Sequence, residues 1–431
     1  METQESLFDS QVPWIGEIPS SWAIRKVKSE FESKKKVVGD DESKYERLAL
    51  TLNGVIKRAK EDSTGLQPEK FETYQILEEN ELVFKLIDLQ NVSTSRVGRS
   101  PYTGLVSPAY IVLHKKDDDD TRYAEYYFLS MWMNQVFNSL GDAGVRSSIN
   151  ASDLLNLPMP VPSAKEKKII SDYLDDVISQ MTNLIKEEKE SIEEYKQLKL
   201  SIISETVTKG IKKNVCFKDS GIASLGEIPE HWQRTKIRYL HNGLTDGTHG
   251  TFERVREGRY LLSSKNVREN SLEISDNESF ISEKDYETIT ANGFPQKGDV
   301  LLCCIGASIG RCIVYELEET MAFQRSVIFI RPNDKITSKM LRYNMMSQST
   351  LSQEQFLSNQ SAQPGLYQGA VSEIFVTVPP IDEQKEIVEY LDEKCELIDS
   401  IINEKEGLIR DLEEMKRSTI FEYVTGKRKV V

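Results

Sequence analysis

The sequence predicts an α+β protein: two mixed α/β domains separated by two long helices packed as an antiparallel coiled coil, the whole a pseudo-twofold duplication. Three observations predict it. Gly16-Glu17-Ile18-Pro19 with Trp22 and Lys26 recurs as Gly226-Glu227-Ile228-Pro229 with Trp232 and Lys236, an offset of 210. Ser163 to Gly210 recurs without a gap as Pro380 to Lys427, an offset of 217, with identities at Glu166/Glu383, Tyr173/Tyr390, Asp175/Asp392, Lys199/Lys416 and Val207-Thr208/Val424-Thr425. Both copies of that second block carry apolar residues in alternating steps of four and three, the signature of a helical seam.

The predicted boundaries follow: a domain at 1–160, a helix at 161–212, a second domain at 213–377 and a second helix at 378–431. In the domains, Tyr110-Ile111-Val112-Leu113 and Val327-Ile328-Phe329-Ile330 read as equivalent strands. Glu81-Leu82-Val83-Phe84 and Asp299-Val300-Leu301-Leu302 read as a second equivalent pair, and helical stretches follow near 123–140 and 338–356. Beyond these landmarks the two domains diverge. Ser163 and Glu166 form a capping box that starts the first helix, and the prolines upstream of each helix stop the preceding segment. The seam is read through Ile170, Leu174, Val177, Met181, Leu184, Tyr195, Leu198 and Ile202, and through Ile387, Leu391, Ile398, Ile401, Leu408, Leu412 and Met415. A helix of ~40 residues is roughly 60 Å long. Its stripe needs a partner, and the natural one is the other copy. Glu188 and Lys405 break the seam at equivalent mid-helix places; they read either as an opposite-charge pair that fixes register or as two solvated edge residues.

Composition excludes some classes. Charged residues are 29 % and net charge is −14, which argues against a generic basic coat for nucleic acid. Local fields count for more than the total. From His231 to Arg268 eight Lys or Arg stand against three acids, while acid collects at Asp117 to Asp120 and in the helices. No apolar run approaches the ~20 residues that span a bilayer. The acidic start, Met1 to Asp9, does not read as a signal peptide. The five cysteines, all at Cys216 or beyond, read as reduced core thiols of a cytoplasmic protein.

At this point the chain resembles the specificity (S) subunits of type I restriction-modification systems. The resemblance rests on the Gly-Glu-Ile-Pro-x-x-Trp openings, on Gly104 to Tyr110, and on Lys297-Gly298-Asp299-Val300-Leu301 leading into Gly306-Ala307-Ser308-Ile309-Gly310-Arg311. It rests also on Ile381 to Ile387 after Pro379-Pro380; the first copy, Ser163 to Ile169, departs with Lys167 where Gln is usual. The resemblance implies two target-recognition domains, each reading one half of a bipartite asymmetric site in double-stranded DNA. It implies helices that set the spacing and dock two methyltransferase (M) subunits, with restriction (R) subunits added. S-adenosylmethionine would sit on the M subunit, ATP and Mg on the R subunit, and no cofactor on this chain. The implied protein is non-catalytic by itself.

The residues agree with that last implication. No Asn-Pro-Pro-aromatic motif is present, and Gly306 to Arg311 lacks the Gly-Lys-Ser/Thr of a phosphate loop. Glu383-Gln384-Lys385 sits in a helix's first turn, where the acid complements the dipole. His241 and His249 share a Gly-rich stretch with Asp246, which reads as a polar loop before it reads as a metal site; metal ligands are predicted nowhere. Candidate DNA contacts are basic or amide side chains in loop-like stretches. In the first domain these are Lys57, Arg58, Arg96, Arg99, Arg146 and Ser147; in the second, Lys265, Asn266, Arg268, Ser308, Arg311, Gln324 and Arg325. The competing reading, from another class, is a coiled-coil scaffold that binds proteins and no DNA. A third, the recognition part of a fused nuclease-methylase, lacks any catalytic region here.

Overall fold

Successive strand residues point to opposite faces, so a strand that is apolar throughout must be covered on both. Leu82 and Phe84 pack into a core shared with the helices, and Val83 between them packs against a second sheet. Val300 and Leu302 divide from Leu301 and Cys303 in the same way. The computed structural model describes residues 6–52, 54–59, 71–89, 96–117, 120–140, 148–358 and 366–430. It divides into two compact units: Met1–Lys189 with Glu406–Val431, and Glu190–Lys405.

In the first unit, strand Leu82–Lys85 lies between Ile111–Lys115 and Arg96–Arg99, with Phe31–Glu32 outermost, all antiparallel. A second four-stranded sheet is built from Gly54–Arg58, Arg47–Thr51, Gly104–Val106 and Gln75–Leu77. Helices Arg122–Met133 and Val136–Leu140 cover the first sheet. In the second unit, Val300–Cys303 lies between Val327–Pro332 and Cys312–Val314, with His241–Asp246 outermost. A three-stranded sheet from Phe280–Ile281, Arg259–Leu262 and Ala322–Phe323 is its second layer. Helices Ser338–Met346 and Gln348–Ser358 follow.

The long helices are Ala164–Lys209 and Ile381–Val424. The Ser163–Glu166 capping box forms: Glu166 N donates to Ser163 Oγ at 3.3 Å and Ser163 N to Glu166 Oε2 at 3.1 Å. Each unit shows antiparallel pairing for itself. In the first, Tyr173 meets Tyr423 at 4.5 Å between ring centres, Lys416 donates to Thr182 at 2.8 Å, and Lys189 pairs with Glu413. In the second, Lys199 pairs with Asp399 at 2.6 Å and Lys212 with Glu386 at 3.1 Å.

The seam needs a correction. Ile170, Leu174, Ile387, Leu391 and Ile398 are buried as expected, but Leu184, Leu198, Leu408 and Met415 are about half exposed, and a second buried line runs one residue after them. It passes through Ser171, Ile178, Ile185, Ile192, Lys199 and Thr206 in one helix, and Val388, Cys395, Ile402, Ile409 and Tyr423 in the other. These positions repeat every seven residues, with the half-buried Lys416 standing between Ile409 and Tyr423, and they correspond across the offset of 217. Polar Ser171, Lys199 and Thr206 interrupt the apolar pattern of this line in the sequence. The thiol expectation also needs one change: Cys303, Cys304, Cys312 and Cys395 are buried, but Cys216 is exposed. Among the described residues no helix is long and apolar enough to cross a membrane.

Candidate nucleic-acid interface

In the second domain several chain segments are stitched together where the strands end. Thr248 N donates to Phe323 O and Arg325 N to Thr248 O. Gln324 N donates to Leu262 O, Ser264 N to Ser326 Oγ, and Cys304 N to Ser326 O. A Cβ on Gly247 would stand 2.3 Å from Gln324 O, so only glycine lets the 246–249 turn approach the 323–326 turn. All seven residues predicted for this domain lie in this assembly or its flanks. They differ in availability. Asn266 is 3 % exposed; its Oδ1 accepts from Ser263 N, and its Nδ2 donates to Glu273 O and Glu278 Oε2. It holds the loop rather than presenting an amide. Lys265 pairs with Glu278 at 2.8 Å and Arg268 with Glu273 at 3.0 Å. Burial pushes the Glu278 carboxyl up, but the bonds from Lys265 and Asn266 prevail and hold it below the usual range. Arg311 Nη1 donates to Val267 O at 2.9 Å. Ser308 and Gln324 are half-buried, Arg325 is exposed, and the Arg325 guanidinium has no hydrogen bond or ion pair among the described residues.

The neighbouring polar groups form no metal centre. His249 Nε2 lies 2.8 Å from Asp246 Oδ2, and Gln368 Nε2 donates to Asp246 Oδ1 at 2.7 Å. His241 stands at the opposite end of the strand, its titration lowered by burial. Among the described residues no group of three His, Cys, Asp or Glu could hold a metal ion. Beneath the Gly306–Arg311 turn, Glu354 is 1 % exposed, with neither carboxylate oxygen hydrogen-bonded, and burial pushes it up to about 8.

In the first domain Lys57 pairs with Glu46 at 2.5 Å, its ammonium 5.1 Å from the Tyr102 ring centre. Arg58 stands opposite Arg47 in the sheet. Arg99 is committed to the frame: Nε donates to Glu125 at 2.9 Å and Nη1 to Asn80 at 2.7 Å. Arg96 stands opposite Lys85, its Nε buried without a partner. Ile149 N donates to Leu86 O at 3.2 Å, which brings the Ser148–Asn150 segment beside that strand end. Leu366 N donates to Cys304 O in the matching place of the second domain. Arg146 and Ser147 lie outside the described residues.

Sequence reasoning missed two things. The basic stretch from His231 to Arg268 is in part neutralised from elsewhere in the chain: Lys236 and Arg238 by Glu373, and Arg259 by Glu283 and Glu319. It also missed how each domain is fastened to helix. Asp175 accepts from Tyr126 Oη at 2.7 Å and Arg122 Nη1 at 2.6 Å; Asp392 accepts from Tyr343 Oη at 2.6 Å and Lys339 Nζ at 2.7 Å. These triads match at the offset of 217, a signal present in the sequence but hidden where the domains otherwise diverge. The Gly-Glu-Ile-Pro-x-x-Trp motifs are structural too: Trp22 lies against Gly426 and Trp232 against Gly210, each at the end of a long helix. Glu188 and Lys405 are half-buried in different units, and the Lys405 ammonium lies 5.8 Å from the Tyr195 ring centre.

Comparison with known proteins gives a consistent result. The sequence model of the type I restriction modification DNA specificity domain matches residues 19–194 and 229–410. The specificity subunit of the type I restriction enzyme MjaVIII of Methanocaldococcus jannaschii is 27 % identical over 368 residues, covering 82 % of this chain and 80 % of that protein. The EcoBI specificity subunit of Escherichia coli is 21 % identical, over 70 % of this chain and 65 % of its own. A chain from a solved type I R-M system assembly, 13 % identical, superposes with a TM-score of 0.67, covering 95 % of this chain and 99 % of that one.

Proposed function

We propose, on the premise that this chain belongs to the type I restriction-modification DNA specificity family, that each domain reads one half of a bipartite asymmetric site in double-stranded DNA. The chain is a DNA-recognition specificity subunit, and the scaffold reading is not favoured. One observation carries the two-half reading: the same strand frame and the same Tyr–Asp fastening recur, while the residues at the strand ends differ. Lys85 opposite Arg96 in one domain corresponds to Cys303 beside Arg311 in the other. Phosphate contacts set position and base-edge contacts set sequence, so one frame with two sets of end residues suits two different half-sites. Replacing residues 226–375 by the same domain of a relative tests this. Methylome sequencing should show one half-site changed and the other kept; a change in both halves contradicts the modular reading.

The remaining partners belong to the same proposal. The exposed apolar side chains on the long helices, Leu184, Leu408 and Met415 in one unit and Leu198 and Leu397 in the other, offer surface for methyltransferase (M) subunits. Two such subunits bring S-adenosylmethionine, and restriction (R) subunits bring ATP and Mg. This chain supplies recognition and no chemistry. The purified chain should show no methylation, nuclease or ATPase activity, and sequence-specific adenine methylation should appear once the M subunit is added. Turnover by the chain alone overturns that division of labour.

A further inference from the structure

We infer that Lys85 and Arg96 form a subsite for one phosphate of the DNA backbone in the first domain, an inference that rests on the DNA-recognition reading above. Lys85 ends strand Leu82–Lys85, Arg96 opens strand Arg96–Arg99, and the two stand directly opposite each other. Like charges facing across a strand pair destabilise it. Elsewhere the chain gives such cations an acid, as with Lys57 and Glu46 or Lys265 and Glu278. Here neither has a hydrogen bond or ion pair among the described residues, and the Arg96 Nε is buried without an acceptor. A buried, unpaired donor is costly to keep.

The placement fits an incoming anion. Phe84 and Val97 pack toward the helices, so strand alternation turns Lys85 and Arg96 to the other face, the one that carries Val83. On that side lies Tyr110, whose phenol burial pushes up while the charges of Arg96, Arg47 and Arg58 pull it the other way. Burial and the nearby Arg96 also lower the Lys85 ammonium, with the Asp88 carboxylate, which forms no ion pair with it, pulling the other way. The second domain shows that the fold does not require this charge. At the same register it carries Cys303, a thiol that burial pushes up to about 11, beside Arg311. Arg311 is satisfied by Val267 O at 2.9 Å. A guanidinium and an ammonium on facing residues of one sheet face suit an oxyanion with two free oxygens. A phosphodiester has them.

The test is a salt titration of the full-length chain on a mixed-sequence duplex, followed by fluorescence anisotropy. Arg96→Gln, Lys85→Gln and the double variant are compared with wild type, and Lys44→Gln, an exposed lysine paired with Asp41, is the control. Losing one phosphate flattens log K against log salt by about 0.9, so across a fourfold salt range the affinity loss shrinks by about 3.5-fold. Each single variant should show that change, the double should add little because both cations share one phosphate, and Arg96→Lys should keep most of the wild-type slope. Lys85→Gln should also melt above wild type without DNA, because the facing charge is gone. A poorly folded Arg96→Gln leaves Lys85→Gln to decide. Wild-type slopes in the variants overturn the inference while leaving DNA recognition intact. A wild-type chain with no salt-dependent duplex binding overturns both. A third arm uses inorganic phosphate: a melting shift in wild type but not in Arg96→Gln, with unchanged duplex slopes, assigns the site to a free anion and overturns the backbone assignment.

Discussion

The first and second recognition domains use the same positions for different ends. Where the first places Phe137 in its core, the second places the buried, unpartnered carboxyl of Glu354 at the offset of 217. Where the first fastens its helix with Arg122, the second uses Lys339. Along the long helices, Lys199 faces Asp399 in one unit, and the corresponding Lys416 faces Thr182 in the other. The frame therefore tolerates exchange of charge for hydroxyl, and of ring for carboxyl, wherever strand pairing and the tyrosine–aspartate fastening persist. What is held in both copies defines the scaffold; what differs at the same register is free to serve recognition.

The fastening gives the largest expected contrast. Asp175→Ala leaves the buried Tyr126 hydroxyl without an acceptor and removes one of three carboxylates around Arg122, whose side chain is 21 % exposed. Asp392→Ala strands Tyr343 in the same way, but Lys339, 52 % exposed, turns to water. We expect about 2–3 kcal/mol lost in the first case and about 1–2 kcal/mol in the second: both strand a tyrosine hydroxyl, and the first also removes a charge-assisted bond from a largely covered guanidinium that Asp120 and Asp172 still hold. Urea unfolding with hydrogen exchange resolved by unit measures both. Equal losses would mean that Asp120 and Asp172 make good at Arg122 what water supplies at Lys339.

The two seam lysines should respond with opposite sign. Lys199, 4 % exposed, is neutralised by Asp399, so Lys199→Met leaves that carboxylate to the neutral Asn270 amide. Breaking a fully buried pair costs more, but Asp399 is 24 % exposed, so about 1–3 kcal/mol is expected. Lys416 has only a hydroxyl opposite, and Lys416→Met should gain about 0.5–1.5 kcal/mol by removing a poorly compensated charge. A loss in both variants would mean that the lysine stems matter to packing more than the charges do.

Much of this architecture was legible because it is periodic. The offset of 217 exposes the duplication, and consecutive apolar residues at Leu82 to Phe84 and Val300 to Leu302 mark strands covered on both faces. What escaped depends on pairing across long separations. The basic run after His231 looks like a binding face until Glu373, Glu283 and Glu319 arrive from elsewhere in the chain. Asn266 looks like a base reader until Glu278 draws it inside. Lys85 was passed over because it closes an apolar strand, and only the strand register sets it against Arg96.

The smallest effect tests whether the helix asymmetry can be repaired. Thr182 occupies the place that Asp399 holds in the other copy, so Thr182→Asp should give Lys416 the carboxylate it lacks. A partly exposed pair of this kind is worth about 0.5–1 kcal/mol. The pH dependence supplies the sharper reading. In the wild type, burial holds the Lys416 ammonium below its ordinary value of 10.5, with Glu413 pulling the other way. Below the folded value both states carry the proton and the folded state bears the full penalty of a partly buried charge. As pH rises through the folded value toward the unfolded one, the folded lysine goes neutral first, the penalty lifts, and stability grows. In Thr182→Asp the new carboxylate favours the folded ammonium, so that growth should shrink or reverse to a loss as pH rises through the raised value. Urea midpoints of both proteins, taken from neutral pH into the alkaline range where the fold survives, read the difference. Identical slopes would mean that the introduced carboxylate stays in solvent and that the two lysines are not interchangeable in the way the repeat implies.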